Sequence, residues 1–134
     1  MVKIIVVKPG FQHPITVKPT HIDQMGHVNN VVYLQWVQDT AAAHWLSAAH
    51  PEDVKNYRWV VLRHEIDYHK PAFEGEKLTG HTWVEKMEGV KSYRWVEIRR
   101  GDQVLARALT TWCLLDARTG RPARVSEGMC QTFL

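Results

Sequence analysis

The stretch Trp59-Val60-Val61-Leu62-Arg63-His64-Glu65-Ile66-Asp67-Tyr68 decides the fold class. In it Val60, Leu62, His64, Ile66 and Tyr68 alternate with Trp59, Val61, Arg63, Glu65 and Asp67, a period of two that belongs to a long strand. Upstream the period is different. Tyr33, Val37, Ala41 and Trp45 recur every four residues, with Leu34 and Leu46 beside them, which predicts a helix with one apolar face running to about Ala49 and closed by Pro51. An Asn at position 29 or 30 can cap it, because its side-chain oxygen accepts from a free amide of the first turn. Downstream, Lys70-Pro71 and Glu74-Gly75 mark an exit turn. Strands follow over Lys77 to about Met87, Lys91 to Arg99 and Gln103 to about Leu115, divided by turns at Glu88-Gly89 and Arg100-Gly101-Asp102.

Ahead of the helix, the segment from Phe11 to about Thr20 is rich in β-formers. The order is therefore strand, one long helix, then four strands. Short links between consecutive strands predict an antiparallel meander, with the helix burying its apolar stripe against one face. This is an α+β architecture, distinct from a nucleotide-binding α/β fold.

The chain has 134 residues, 45% hydrophobic and 23% charged, without repeats or low-complexity linkers, so a single domain over 1–134 is expected. The run Ile4-Ile5-Val6-Val7, bracketed by Lys3 and Lys8, reads as a strand and is too short for a membrane span or a signal-peptide core. Cys113 and Cys130 form no CxxC pair, which fits a reducing, cytoplasmic chain. The net charge of +3 suits a phosphorylated ligand as readily as a nucleic acid. Because the basic residues form no long run and no reader motif, neither a nucleic-acid partner nor a membrane partner is expected.

Chemistry is concentrated in the loop His21-Ile22-Asp23-Gln24-Met25-Gly26-His27-Val28-Asn29-Asn30. A carboxylate (Asp23), an imidazole (His27), a glycine (Gly26) and two amides precede a helix whose first N–H groups and dipole favour developing negative charge. These are the parts of a carbonyl-activating site, with the carboxylate as nucleophile or general base and a backbone N–H as oxyanion donor. The same residues also fit a plain helix cap with His27 at the surface, and residue types alone leave both readings open.

The run Asp23-Gln24-Met25-Gly26-His27-Val28-Asn29-Asn30, followed by Tyr33-Leu34, resembles the signature of the 4-hydroxybenzoyl-CoA thioesterase-like family of hotdog-fold proteins. The resemblance extends to Ile66-Asp67-Tyr68 with Pro71-Ala72, to Gly89-Val90-Lys91-Ser92-Tyr93, and to Trp112-Cys113-Leu114-Leu115-Asp116 with Thr119-Gly120-Arg121-Pro122. It implies a hotdog fold, an antiparallel sheet of about five strands wrapped around one central helix. It also implies hydrolysis of an acyl-coenzyme A thioester, or less often an acyl carrier thioester, with Asp23 catalytic, the amide near Asn30 polarising the carbonyl and His27 in support. Tyr33 and Trp36 are then expected in the acyl pocket beside Gly26. Lys91 and Ser92 match the segment that contacts coenzyme A across a dimer interface, and a homodimer or homotetramer is implied. No cofactor is expected, since coenzyme A is part of the substrate.

Some positions depart from the family. One branch carries a second catalytic histidine where this chain has Asn30, and another carries a glutamate in the helix where this chain has Gln38-Asp39, which makes Asp39 the next carboxylate to consider. A hotdog hydratase or dehydratase also pairs Asp and His, but within a Gly-Asp-x-Asn-Pro context that is absent here. A non-catalytic acyl-CoA or acyl-carrier binding protein would use the same loop. Arg94, Lys91 and the Arg99-Arg100 pair are candidates for attracting phosphates. The six tryptophans are expected to cover the helix stripe and the sheet faces, and His64 to be a packed, hydrogen-bonded histidine. The histidines form no HExxH or close ligand pair, so no metal site is expected.

Overall fold

A computed structural model describes residues 10–134, so the strand expected at Ile4–Val7 lies outside the described residues. Five strands, β1 (Phe11–Thr16), β2 (Tyr57–Tyr68), β3 (Lys77–Glu88), β4 (Lys91–Arg100) and β5 (Gln103–Asp116), form one antiparallel sheet. The sheet curls around α1 (Asn30–Ala48), the hotdog arrangement that the resemblance implied, and two short helices, α2 (Pro51–Asn56) and α3 (Glu127–Phe133), complete it. None of the helices is long and apolar enough to cross a membrane.

Helix α1 begins where Asn29 Oδ1 accepts from the Val31 N–H at 3.2 Å. Its buried side chains are Tyr33, Trp36, Val37, Thr40 and Ala41, spaced three and four apart as a face against a sheet requires. Leu46, expected on that face, is 66% exposed. Pro51 does more than close α1. It occupies the first turn of α2, where its missing N–H and fixed φ cost nothing.

The strand order is β1-β3-β4-β5-β2, which corrects the expected meander. Only β3, β4 and β5 follow one another in space as in sequence, through turns that place Gly89 and Gly101 at φ of 62° and 59°. Strand β2 pairs with β5 at the far edge, so the segment 69–76 must cross one end of the sheet to reach β3. That crossing is anchored by His69 N–H to Leu105 O (2.8 Å) and by Val28 N–H to Ala72 O (2.9 Å). It thereby seats the loop before α1 against the crossing segment.

A second correction concerns the faces of β2. The pairing with β5 shifts between Val61 and Arg63, a bulge that moves later side chains to the opposite parity. Before it, Tyr57, Trp59 and Val61 are the half-buried positions; after it, His64 and Ile66 are. Val60 and Leu62, expected to share a face with His64, are 38% and 52% exposed. The third difference is α3, which the sequence did not signal. Ser126 caps it through the Met129 N–H (3.1 Å), and Phe133 stacks on Trp45 with ring centroids 5.5 Å apart.

Candidate active site

The loop from His21 to Asn29 is held by its own backbone. Ile22 and Val28 form an antiparallel bridge, Asp23 N–H donates to His27 O (2.9 Å), Gly26 N–H to Asp23 O (3.1 Å), and Asn29 N–H to His21 O (2.9 Å). Closing so tight a turn requires a left-handed residue, and Gly26 supplies it at φ +84°. The Asp23 carboxylate is fixed from both sides. Its Oδ1 accepts from the Met25 N–H at 2.8 Å, and its Oδ2 lies 3.7 Å from His27 Nδ1. Both side chains are partly solvent-exposed.

A cavity of about 210 Å³ opens at the head of α1, lined by His27, Val28, Asn30, Tyr33, Tyr68, His69, Lys70 and Pro71. His27, Asn30 and Tyr33 are thus brought together on its wall. Asp23 reaches it only through His27, and Gly26 shapes the loop without lining the cavity. In the first turn of α1, Val31 N–H is bonded to Asn29 Oδ1 and Val32 N–H to Asn29 O (2.9 Å), whereas Asn30 N–H has no acceptor among the described residues. The Tyr68 hydroxyl donates to Asn30 O at 3.1 Å, joining the end of β2 to the start of the helix. Tyr68 meets Tyr33 edge-on at 5.5 Å, and Tyr33 meets Trp36 at 5.2 Å. Burial raises the phenols of Tyr33 and Tyr68, so both stay protonated donors at neutral pH. Trp36 is buried in the core behind Tyr33 and lines neither cavity.

Sequence reasoning did not single out His69 or Lys70. Their signal was present in the turn Lys70-Pro71 after β2, which the strand order carries across the mouth of the site. Within one chain, Lys91 and Ser92 do not join this group. Lys91 is exposed at the start of β4, and Ser92 is 3% exposed and lines a different cavity beneath the C-terminal half of α1.

The arginines also need correction as phosphate attractors. Arg94 faces inward and is only 5% exposed. Arg100 bonds both oxygens of Glu76 at 3.0 Å, and Arg99 with Arg107 brackets Glu97. Burial alone would raise the Glu97 carboxyl; hydrogen bonds and charge from these two arginines outweigh it and hold the group below the usual carboxylate range. Asp39 is exposed and accepts from Gln35 (2.8 Å), while its neighbour Gln38 turns toward His64. His64 Nδ1 stands 2.8 Å from Thr110 Oγ1, in the packed, bonded state expected of it. Among the described residues, no group of three or more His, Cys, Asp or Glu side chains is arranged to hold a metal ion.

Comparison with known proteins matches residues 17–133 to the model of the thioesterase-like superfamily. Long-chain acyl-CoA thioesterase FadM of Escherichia coli (strain K12) is 28% identical over 115 residues, covering 81% of this chain and 85% of that protein. Among solved structures, a predicted thioesterase from Bacillus stearothermophilus superposes with a TM-score of 0.82 at 22% identity, covering 92% of this chain and 93% of the other. A 1,4-dihydroxy-2-naphthoyl-CoA thioesterase from Synechocystis superposes with a TM-score of 0.74 at 19% identity, over 90% and 96% of the two chains. These two likenesses support the fold. With the superfamily match spanning the loop, the helix, strands β2 to β5 and α3, the chain belongs to the thioesterase-like superfamily and is a thioester hydrolase.

Proposed function

We propose that the protein hydrolyses an acyl-coenzyme A to the free acid and coenzyme A at the head of α1. The observation that carries this reading is the unoccupied Asn30 N–H, which opens a helix beside a cavity, next in the loop to a fixed carboxylate and imidazole. A thioester carbonyl seated there would meet that N–H as charge develops on its oxygen, with the helix dipole adding to the stabilisation. Asp23 then acts in one of two ways. As general base it takes a proton from water, whose oxygen attacks the carbonyl carbon; the C–S bond breaks and the thiolate leaves, taking up a proton. As nucleophile its own oxygen attacks, coenzyme A leaves as thiolate, and water cleaves the resulting anhydride to regenerate Asp23. His27 orients the water or the carbonyl, and Lys70 at the cavity rim suits a phosphate-bearing carrier. No cofactor enters the scheme.

The same proposal includes a homodimer, or a tetramer built from dimers. Strand β2 pairs only with β5 among the described residues, leaving one edge free with Val60 and Leu62 exposed on it. Lys91 and Ser92 lie away from the cavity in their own chain, so contact with its coenzyme A would have to come from a second copy. The unpaired Cys113 and Cys130 suit a cytoplasmic location.

The test follows thiol release over benzoyl-, hydroxybenzoyl-, short-chain and long-chain acyl-CoAs with wild type and Asp23→Asn. Wild type should turn over at least one class, and the variant should fold normally and be slower by about 100-fold or more. Equal rates would remove Asp23 from the mechanism. Acyl-CoA binding without thiol release across the panel would replace hydrolysis by ligand carriage.

A further inference from the structure

Beneath the C-terminal half of α1 lies a second cavity, of about 370 Å³, which shares no lining residue with the first. Its walls are largely apolar rings, from Trp45 on α1, Tyr57 and Trp59 on β2 and Trp112 on β5, with Met87 of β3 beside them. Into this lining project polar groups of an unusual kind. Arg94, on the inner face of β4, is 5% exposed and uses one nitrogen, Nη1, to donate to His44 Nδ1 (2.8 Å) and Thr82 Oγ1 (3.0 Å). Nε and Nη2 donate to no described residue. No carboxylate stands within ion-pair distance of Arg94 among the described residues, whereas Arg99, Arg100 and Arg107 each have a glutamate. A few residues along the sheet, the Trp112 indole N–H is buried and has no acceptor among the described residues.

Buried charges are ordinarily paired, because removing a cation from water without a counter-ion is costly. Burial lowers the Arg94 guanidinium to about 10, which still leaves it charged at neutral pH. The guanidinium lies 5.9 Å from the centre of the Phe133 ring, and the largely apolar cavity that it lines offers it no anion among the described residues. Arg58 stands at the rim, exposed and, among the described residues, bonded only to the backbone carbonyls of Val54, Lys55 and Tyr57, and brings a second positive charge to the entrance.

We propose that this cavity is a binding site for a hydrophobic monocarboxylate, distinct from the thioester site, with the carboxylate on the Arg94 guanidinium and the apolar body between the aromatic rings. A planar carboxylate matches the guanidinium fork and carries the single negative charge that one arginine can balance. A phosphate would bring more charge and more acceptors than these donors could satisfy. The cavity volume lies within the range of small-molecule pockets, and its ring-rich lining supplies most of the contact.

The test is calorimetric titration of the protein with 2-naphthoate and with decanoate, each against its neutral alcohol, 2-naphthylmethanol and decanol. At least one acid should bind one per chain and about tenfold or more tighter than its alcohol, the difference made by the charge-assisted bonds. Arg94→Leu should abolish that preference. Ala42→Trp, which places an indole over the mouth of the cavity from the exposed side of α1, should weaken binding of acid and alcohol alike, and keeps the proposal testable if the Arg94 variant does not fold. Asp23→Asn should bind the acid as wild type does, so the outcome stands apart from whether Asp23 is catalytic. Equal affinity for acid and alcohol, undiminished acid binding in Arg94→Leu, or binding lost in folded Asp23→Asn would each overturn the proposal.

Discussion

A Cβ placed on Gly80 would stand 2.2 Å from Thr40 Oγ1 and 2.9 Å from its Cγ2, so α1 rests on β3 with no room for a methyl group. This contact sets α1 close against β3. Gly80→Ala is expected to destabilise the protein by about 1–3 kcal/mol through overpacking. The midpoint of urea unfolding reads the loss. Thr40 is fully buried and its hydroxyl has no hydrogen-bond partner among the described residues, so Thr40→Ala vacates the contested space without breaking a described hydrogen bond. In the double variant the cost at Gly80 should shrink; strictly additive costs would show that another contact sets the spacing.

The bond from the Tyr68 hydroxyl to Asn30 O crosses from the edge strand to the first residue of the helix. Tyr68→Phe removes it while keeping the ring against Tyr33. Stability should fall by about 0.5–1 kcal/mol, the modest net value of one partly exposed hydrogen bond. The larger effect is expected in kcat/KM, down about tenfold, because the helix start that presents the Asn30 N–H is less firmly oriented. Unchanged kinetics with the stability loss present would confine Tyr68 to a structural role.

His64 gives the protein a pH dependence of known sign. Burial lowers its pKa below the ordinary 6.5, so between 6.5 and the lower folded value the unfolded chain binds a proton that the native chain does not. Its contribution is therefore fully present above pH 6.5 and is lost as pH falls toward the folded value. His81, on the outer face, shifts the same way through burial and then Arg99, with Glu97 opposing. His64→Gln should flatten part of the fall in urea midpoint between about pH 7 and 5, leaving the His81 share. An unaltered slope would show that His64 takes up its proton without opening its contacts with Gln38 and Thr110.

The element types were readable because their periods differ: four-residue spacing from Tyr33 to Trp45, two-residue spacing from Trp59 to Tyr68. Strand order was not readable, since Glu74-Gly75 before β3 and Glu88-Gly89 after it read as the same kind of turn, while the first belongs to a link that crosses the sheet and the second makes a hairpin. The face of β2 was misread for a related reason. A bulge at Val61–Arg63 has no residue signature of its own, yet it reverses the parity of everything before it. Residues contiguous with the helix start, His27, Asn30 and Tyr33, could be found from the loop. His69 and Lys70 reach the site only through the crossing, and the lack of a carboxylate beside Arg94 among the described residues depends on which acids the sheet register brings near.

The crossing also bears on how the chain assembles. Strands β3, β4 and β5 are joined by tight turns at Gly89 and Gly101 and can pair as soon as they exist, with little loop entropy to overcome. The outer strands β1 and β2 must each close a long loop to find β3 and β5, and α1, which separates them in sequence, can dock only once a central surface is there to receive it. The folding nucleus therefore belongs to the three central strands. Disturbance at the edges is expressed chiefly in the unfolding rate, where the head of α1 and the crossing segment part from the sheet before the core gives way.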